Sequence, residues 1–160
     1  PEAHYETMAD EEIAALPVHL LASDSCILLM WAVWPKLPVA IEVLRRWGFA
    51  YKTGGSWTKT TRTGKRAFGT GYILRSSCEP FLVGTIGSPE IGDRAVRNLI
   101  ESPRRQHSQK PPEMRAIAQR LRPNAFGAEL FGIEPWPGHD VWNPKPHRPA
   151  DPPPLDAGGA

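Results

Sequence analysis

The sequence is poor in cysteine, and this absence excludes two classes of site. Only Cys26 and Cys78 occur among 160 residues, and neither belongs to a Cys-x-x-Cys pair. No Cys/His cluster has the spacing of a zinc site, so we predict neither a metal centre nor a disulfide scaffold. We expect two buried free thiols in a reducing cytosol.

Long apolar runs and a strong net charge are also missing. No run is long enough to span a membrane and no signal peptide is recognisable, so we expect a cytoplasmic protein without a membrane partner. The net charge of +2 excludes a globally basic, histone-like binder. The cations are nevertheless clustered in two loops that suit phosphate groups: Arg62, Lys65 and Arg66 in one, and Arg104, Arg105, His107 and Lys110 in the other.

Hydrophobic residues make up 41% of the chain, and their pattern predicts an α/β fold. The predicted strands are residues 27–34, 49–59, 79–84, 96–101 and 128–132. A helix over 39–47 ends at Gly48, and a second helix after Pro112 has its apolar positions at Met114, Ile117, Ala118 and Leu121. The unbroken apolar run at 25–34 predicts a strand buried on both faces. We expect a mainly parallel sheet with ligands bound at the carboxyl ends of its strands.

The segment Ser56-Trp57-Thr58-Lys59-Thr60-Thr61 stands at one such strand end. In an extended segment, residues two apart point to the same face, so Trp57 and Lys59 are neighbours. Such a pair suits a flat base together with a phosphate or a polar base edge. The alternative is a tryptophan that covers the core beside a solvated lysine.

Eight segments in a particular order resemble the MT-A family of adenine-N6 methyltransferases, over residues 1–143. They are His4-Tyr5-Glu6-Thr7-Met8 with Asp10-Glu11-Glu12, Leu28 to Val33, Trp47-Gly48-Phe49, Trp57 to Thr60, Gly69-Thr70-Gly71-Tyr72, Glu79 to Gly84, His107 to Pro111 with Glu113, and Glu129-Leu130-Phe131-Gly132.

The resemblance implies a Rossmann-like methyltransferase fold that uses S-adenosyl-L-methionine to methylate the N6 amine of adenine. Residues 1–143 then form the methyltransferase domain, and the Pro-rich residues 144–160 form a disordered tail. The compact loops lack the insertions of eukaryotic members and favour DNA over RNA as the partner. A homo- or heterodimer is compatible with the family.

The family's Asp-Pro-Pro-Trp motif is absent from these 160 residues. Asp151-Pro152-Pro153-Pro154 lacks the Trp and follows no strand, so we do not assign it this role. Because the sequence begins at Pro1 without Met, we expect that the N-terminal strand and catalytic loop are missing. No catalytic residue is therefore assigned within this chain. The alternative function is a catalytically dead, nucleic-acid-binding scaffold subunit.

The resemblance assigns the remaining sites residue by residue. Lys110 matches a lysine that binds the carboxylate of the cofactor, and the alternative is a solvated side chain. Trp31 matches a position near the substrate adenine, and the alternative is core packing. Ile133 replaces a family Arg, and Trp142 replaces the Gly before Asn143. The substrate adenine pocket comprises Tyr5, Trp31, Trp57 and Lys59; the cofactor residues are Lys110, Glu129, Leu130, Phe131 and Asn143; the nucleic-acid backbone contacts are Arg62, Lys65, Arg66, Arg104 and Arg105; no metal ligand is assigned.

Overall fold

The computed structural model describes residues 8–105 and 109–144. These form two compact units, one reaching Asn124 and the other beginning at Ala125. Tyr5, His107 and the Pro-rich segment from residue 145 onward lie outside the described residues, so their predicted roles are not addressed structurally. The proposed boundary between residues 143 and 144 stays a prediction.

The first unit is built on a four-stranded sheet with the order β1-β3-β2-β4. Strand β3 is antiparallel to both β1 and β2, whereas β4 is parallel to β2. Strands β1, β2 and β4 therefore run in one direction and β3 runs in the other. The strands are β1 Cys26–Trp31, β2 Ala50–Thr60, β3 Cys78–Ile86 and β4 Leu99–Pro103.

The expected mainly parallel sheet is not confirmed, because two of its three described strand pairings are antiparallel. The physical reason lies in residues 61–77, which connect β2 to β3 without a helix. A parallel partner requires a crossover that returns the chain to the starting edge, whereas a plain loop lets it turn back beside β2. Strands β1 and β2, in contrast, are joined through a helix, and they run in the same direction.

Three α-helices occur in the described residues: α1 Asp10–Ala14, α2 Leu37–Arg46 and α3 Glu113–Leu121. Helix α2 ends as predicted, with Gly48 at a φ of 88°, a conformation that glycine adopts without a steric penalty. Helix α1 begins at Asp10, and the Glu12 carboxylate accepts a hydrogen bond from the Ala9 N–H at 2.7 Å. The indole of Trp47 donates to the Ile13 carbonyl and so holds α1 against α2.

One cluster of core residues lies on the face of the sheet that α3 covers. Trp57, Phe81 and Ile100 come from β2, β3 and β4, and each is only 3% exposed. The predicted helix positions Met114 and Ile117 do pack on this cluster, together with Trp31 and Val83. Strand β1, by contrast, is half-buried throughout, because it forms an edge of the described sheet. The prediction that it is buried on both faces was therefore wrong for the described structure.

The second unit contains a parallel pair of short strands, β5 Gly127–Leu130 and β6 His139–Trp142. Strand β5 was predicted, but β6 was not. Directly after β5, Phe131 has a φ of 62° and donates its N–H to the Trp142 carbonyl at 2.6 Å. A positive φ is costly for a bulky residue, so surrounding contacts must hold Phe131 in place. Its ring packs edge-on against Trp142 at 5.6 Å between centroids.

Candidate functional site

Two tryptophans and a lysine meet at the carboxyl ends of β1 and β2. The prediction that Trp57 and Lys59 share a face is confirmed, since the Lys59 ammonium lies 5.3 Å from the centre of the Trp57 ring. Trp31, the last residue of β1, meets Trp57 edge-on with ring centroids 6.2 Å apart. Three of the residues assigned to the adenine pocket are thus neighbours.

Glu79 joins these residues to Lys110. It stands opposite Trp57 in the register of β2 and β3. One carboxylate oxygen accepts a hydrogen bond from Lys59 Nζ and the other accepts one from Lys110 Nζ, both at 2.5 Å. The Lys110 ammonium also lies 5.7 Å from the centre of the Trp31 ring. We call these five residues, Trp31, Trp57, Lys59, Glu79 and Lys110, the aromatic–lysine cluster.

The charges of the cluster do not balance. One carboxylate is shared by two ammonium groups, which leaves a net charge of about +1 in a half-buried site. Burial raises the pKa of Glu79, but the hydrogen bonds and positive charges of Lys110 and Lys59 outweigh it. The resulting pKa of the carboxyl lies below its usual value, so Glu79 remains charged. The cluster can therefore accept one further negative group, such as a carboxylate.

Sequence reasoning assigned no site role to Glu79, the first residue of the predicted strand 79–84. The available signal was an acid at the start of one predicted strand and a lysine at the end of another. That signal becomes useful only once the strands are known to be antiparallel neighbours with Trp57 opposite Glu79. The register of two strands separated by a 17-residue loop cannot be read from the sequence.

Trp57 is buried, and its indole donates a hydrogen bond to the Ser102 carbonyl at 3.1 Å. This arrangement supports the alternative in which Trp57 covers the core. Its role as a stacking surface for adenine stays a prediction, and the half-buried Trp31 presents more ring to solvent. The hydroxyl of Ser102, opposite Lys59 in the register, is buried without a hydrogen-bond partner among the described residues.

The two basic loops meet beyond the ends of β2 and β4. Thr60 and Pro103 are paired, and the Arg104 N–H donates to the Thr60 carbonyl at 3.0 Å. Arg62, Arg104 and Arg105 consequently line one open cavity of about 500 Å³ together with Gln109. Lys65 and Arg66 are not among its lining residues. The backbone carbonyl of Lys65 accepts a hydrogen bond from the Thr61 N–H at 2.7 Å, which closes the turn between these two residues.

The remaining residues assigned to the cofactor lie in the second unit. Glu129 and Leu130 belong to β5 and pair with Val141 and Trp142, while Phe131 follows directly. Asn143 follows β6 and donates its side-chain amide to the Gly132 carbonyl at 3.3 Å. This unit also contains a hollow of about 770 Å³, lined by residues between Gly132 and Asn143 that include Trp136 and His139. The two rings are stacked, with centroids 3.7 Å apart.

Neither cysteine forms a disulfide bond in the described part of the chain. Cys26 and Cys78 are unpaired as predicted, but half-buried rather than buried. Burial raises the pKa of the Cys26 thiol, which disfavours the reactive thiolate. Across residues 8–105 and 109–144, no three His, Cys, Asp or Glu side chains are grouped so as to hold a metal ion. In the same part of the chain, every helix is too short or too polar to cross a membrane.

The first unit is a mixed α/β domain, and its aromatic–lysine cluster lies at the carboxyl ends of β1 and β2. The profile of the MT-A70 family matches residues 1–145, and the chain belongs to this family. A putative N(6)-adenosine-methyltransferase MT-A70-like protein of Medicago truncatula is 38% identical over 81% of this chain and 21% of its own length. The type II methyltransferase M.MunI of a Mycoplasma species is 34% identical over 86% of this chain and 58% of its own length.

The N(6)-adenosine-methyltransferase catalytic subunit METTL3 of Homo sapiens is 30% identical over 82% of this chain and 23% of its own length. The chain therefore spans about a fifth of the plant and human relatives and somewhat more than half of the mycoplasma protein. These relatives are all named as methyltransferases, and the family resemblance found in the sequence is confirmed.

Proposed function

We propose that this domain serves the transfer of a methyl group from S-adenosyl-L-methionine to the N6 amine of adenine in nucleic acid, with DNA as the first choice. The family and the names of its relatives support methyl transfer. The loops lack the insertions of the eukaryotic members, and this likeness to the compact members supports DNA. We also propose a Rossmann-like arrangement, which the common direction of β1, β2 and β4 supports. A cytoplasmic location and a homo- or heterodimeric assembly are further parts of the proposal.

The placing of a cation, Lys110, beside an anion, Glu79, in the aromatic–lysine cluster is the observation that carries the cofactor proposal. Lys110 has the donor chemistry to hold the carboxylate of the methionine moiety, and Glu79 can accept hydrogen bonds from its ammonium group. The residues of the first unit thus fit a zwitterionic amino-acid group. S-adenosylmethionine, when bound, supplies the methyl group on its sulfonium. From the second unit we propose Glu129 as a hydroxyl acceptor, with Leu130, Phe131 and Asn143 contacting the nucleoside part.

The adenine is proposed to lie against Trp31, with Lys59 at its polar edge and Tyr5 and Trp57 as further contacts. The exocyclic amine of adenine is a poor nucleophile, because its lone pair is delocalised into the ring. Acceptors that hold both amine hydrogens favour a pyramidal nitrogen and direct it toward the methyl group. The family's Asp-Pro-Pro-Trp segment has these acceptors, and we propose that a catalytically competent form of the protein includes it.

Methyl transfer onto adenine-containing DNA and RNA oligonucleotides tests this function, using this chain and a version extended by an Asp-Pro-Pro-Trp strand. We expect activity in the extended form.

Lys110→Ala should weaken binding of S-adenosylmethionine about 10- to 100-fold in calorimetry, since hydrogen bonds to charged groups contribute about 1.5–3 kcal/mol. The exposed Lys52, in β2, provides the matched control, and Lys52→Ala should leave the affinity unchanged. Equal affinities for both variants would reject Lys110 as a cofactor ligand.

A nucleic-acid-binding scaffold is the second candidate, and the cavity lined by Arg62, Arg104 and Arg105 is the observation that favours it. Such a subunit has no need for the cofactor. Nucleic-acid binding without activity in either form, and without measurable affinity for S-adenosylmethionine, would favour this function over methyl transfer.

The three arginines that line one cavity are proposed to contact the nucleic-acid backbone, with Lys65 and Arg66 as outer contacts. We expect Arg62→Ala and Arg104→Ala each to lower affinity for oligonucleotides. Each should also reduce the slope of log affinity against log salt by about 1, because one phosphate contact fewer means that about one counterion fewer is released on binding. Binding isotherms at several salt concentrations measure this slope. Lys52→Ala removes the same charge from another position, so an equal loss in this control would point to a diffuse charge effect instead.

A further inference from the structure

The loop formed by residues 61–77, here called the β2–β3 loop, holds apolar side chains in solvent. Tyr72 is 94% exposed and Ile73 is 88% exposed, and their neighbours Phe68 and Leu74 are also largely exposed. Isolated exposed apolar residues are common, but several in one loop indicate an interaction surface. None of them has been assigned a role above.

The backbone of this loop is held at its neck. The Ala67 N–H donates to the Lys59 carbonyl and the Gly69 N–H donates to the Ser76 carbonyl, both at 2.8 Å. At the tip, a Cβ on Gly71 would lie only 1.7 Å from the Leu74 carbonyl oxygen, so a tight turn is built around this glycine. The exposed side chains are therefore carried on an ordered segment that begins beside Lys59 of the aromatic–lysine cluster. Such preorganisation lowers the entropic cost of binding.

The composition of the β2–β3 loop indicates what it binds. Residues 61–77 contain four cations, Arg62, Lys65, Arg66 and Arg75, and no acidic residue. The Arg75 guanidinium lies 5.6 Å from the centre of the Phe68 ring. Exposed aromatic rings interspersed with cations bind unpaired nucleic acid, because bases stack on the rings while phosphates meet the cations. An apolar protein partner would not require this excess of one charge.

We propose that Phe68 and Tyr72 form a base-stacking platform for unpaired nucleotides that flank the target adenine. The platform rests on the proposed function and specifies its substrate as a single strand or a locally opened duplex. Phe68 offers a ring already backed by Arg75, and Tyr72 offers a ring open to solvent. The phosphates next to the stacked bases then meet the arginines of the same loop.

Equilibrium binding of this chain to short single-stranded oligonucleotides tests the platform, with no cofactor present. Tyr72→Ala and Phe68→Ala should each weaken binding about tenfold, which corresponds to about 1.4 kcal/mol, and Tyr72→Phe should bind as the original chain does. Ile73→Ala is the matched control, since Ile73 is equally exposed but not aromatic. We expect it to change affinity by less than about twofold. The salt dependence should remain unchanged in Tyr72→Ala, because no charge is removed.

A second probe places 2-aminopurine beside the target adenine, where stacking on Tyr72 should quench its fluorescence in the original chain but not in Tyr72→Ala. Equal losses for Tyr72→Ala and Ile73→Ala would reject base stacking. If the original chain sediments as an oligomer and those variants sediment as monomers, the loop is a protein–protein interface. Unchanged binding in Tyr72→Ala and Phe68→Ala, with weaker binding in Arg62→Ala, would reject the platform while leaving the nucleic-acid function intact. Failure of the original chain to bind any oligonucleotide would reject both.

Discussion

Trp57→Ala should lower the free energy of unfolding by about 3–5 kcal/mol, the largest change expected for any substitution considered in this chain. Trp57 is buried at the centre of the core between Phe81 and Ile100, and its indole N–H bonds to the Ser102 carbonyl. Truncation to alanine removes those contacts, leaves a cavity and leaves the carbonyl without its donor. Urea denaturation followed by circular dichroism measures the effect.

Trp34→Ala is the appropriate control, because Trp34 is half exposed and its indole makes a single hydrogen bond to the Cys78 carbonyl. We expect a loss of no more than about 1 kcal/mol there. A loss of similar size at Trp57 would mean that its burial contributes little, and would reopen the stacking role. Trp57→Phe separates the two roles further, since a phenyl ring fills much of the site but cannot donate to Ser102. Altered kinetics with near-normal stability in this variant would place Trp57 in contact with the substrate.

The sequence was informative wherever a signal is local. The apolar spacing of α2 and the glycine that ends it predicted a helix that the structure contains, within a few residues at each end. The twofold period of an extended strand likewise predicted that Trp57 and Lys59 share a face. Both depend only on residues a few positions apart, where backbone geometry determines side-chain direction.

The pairing of strands that are far apart in the sequence could not be predicted in the same way. The insertion of β3 between β1 and β2 depends on which way the chain turns after a 17-residue loop, and alternation alone does not determine this. Glu79 was consequently overlooked, although it binds both lysines of the cluster. The basic loops were recognised from composition, but the selection of Arg62 and Arg104 as neighbours follows from the parallel pairing of Thr60 with Pro103.

Glu79→Ala should destabilise the domain by about 1–3 kcal/mol near neutral pH. Removal of this carboxylate leaves Lys59 and Lys110 half-buried and facing each other without an anion. The lower part of the range for buried ion pairs is appropriate, because all three side chains keep some contact with solvent. Urea denaturation measures the loss, and Glu42→Ala is the control, since Glu42 forms an exposed pair with Arg45 whose removal should cost less than about 0.5 kcal/mol.

The pH dependence of this loss identifies the ion pairs as its source. The pKa of Glu79 is lower in the folded protein than in the unfolded chain, where a glutamate titrates near about 4.3. The stabilisation is therefore complete above the unfolded pKa and disappears as the pH falls through the lower, folded pKa. The difference in stability between the original chain and Glu79→Gln, which retains the size of the side chain but not its charge, should accordingly shrink below about pH 4. A difference that stays constant with pH would assign the role of Glu79 to packing or neutral hydrogen bonding, and would remove the charge argument for a carboxylate ligand at Lys110.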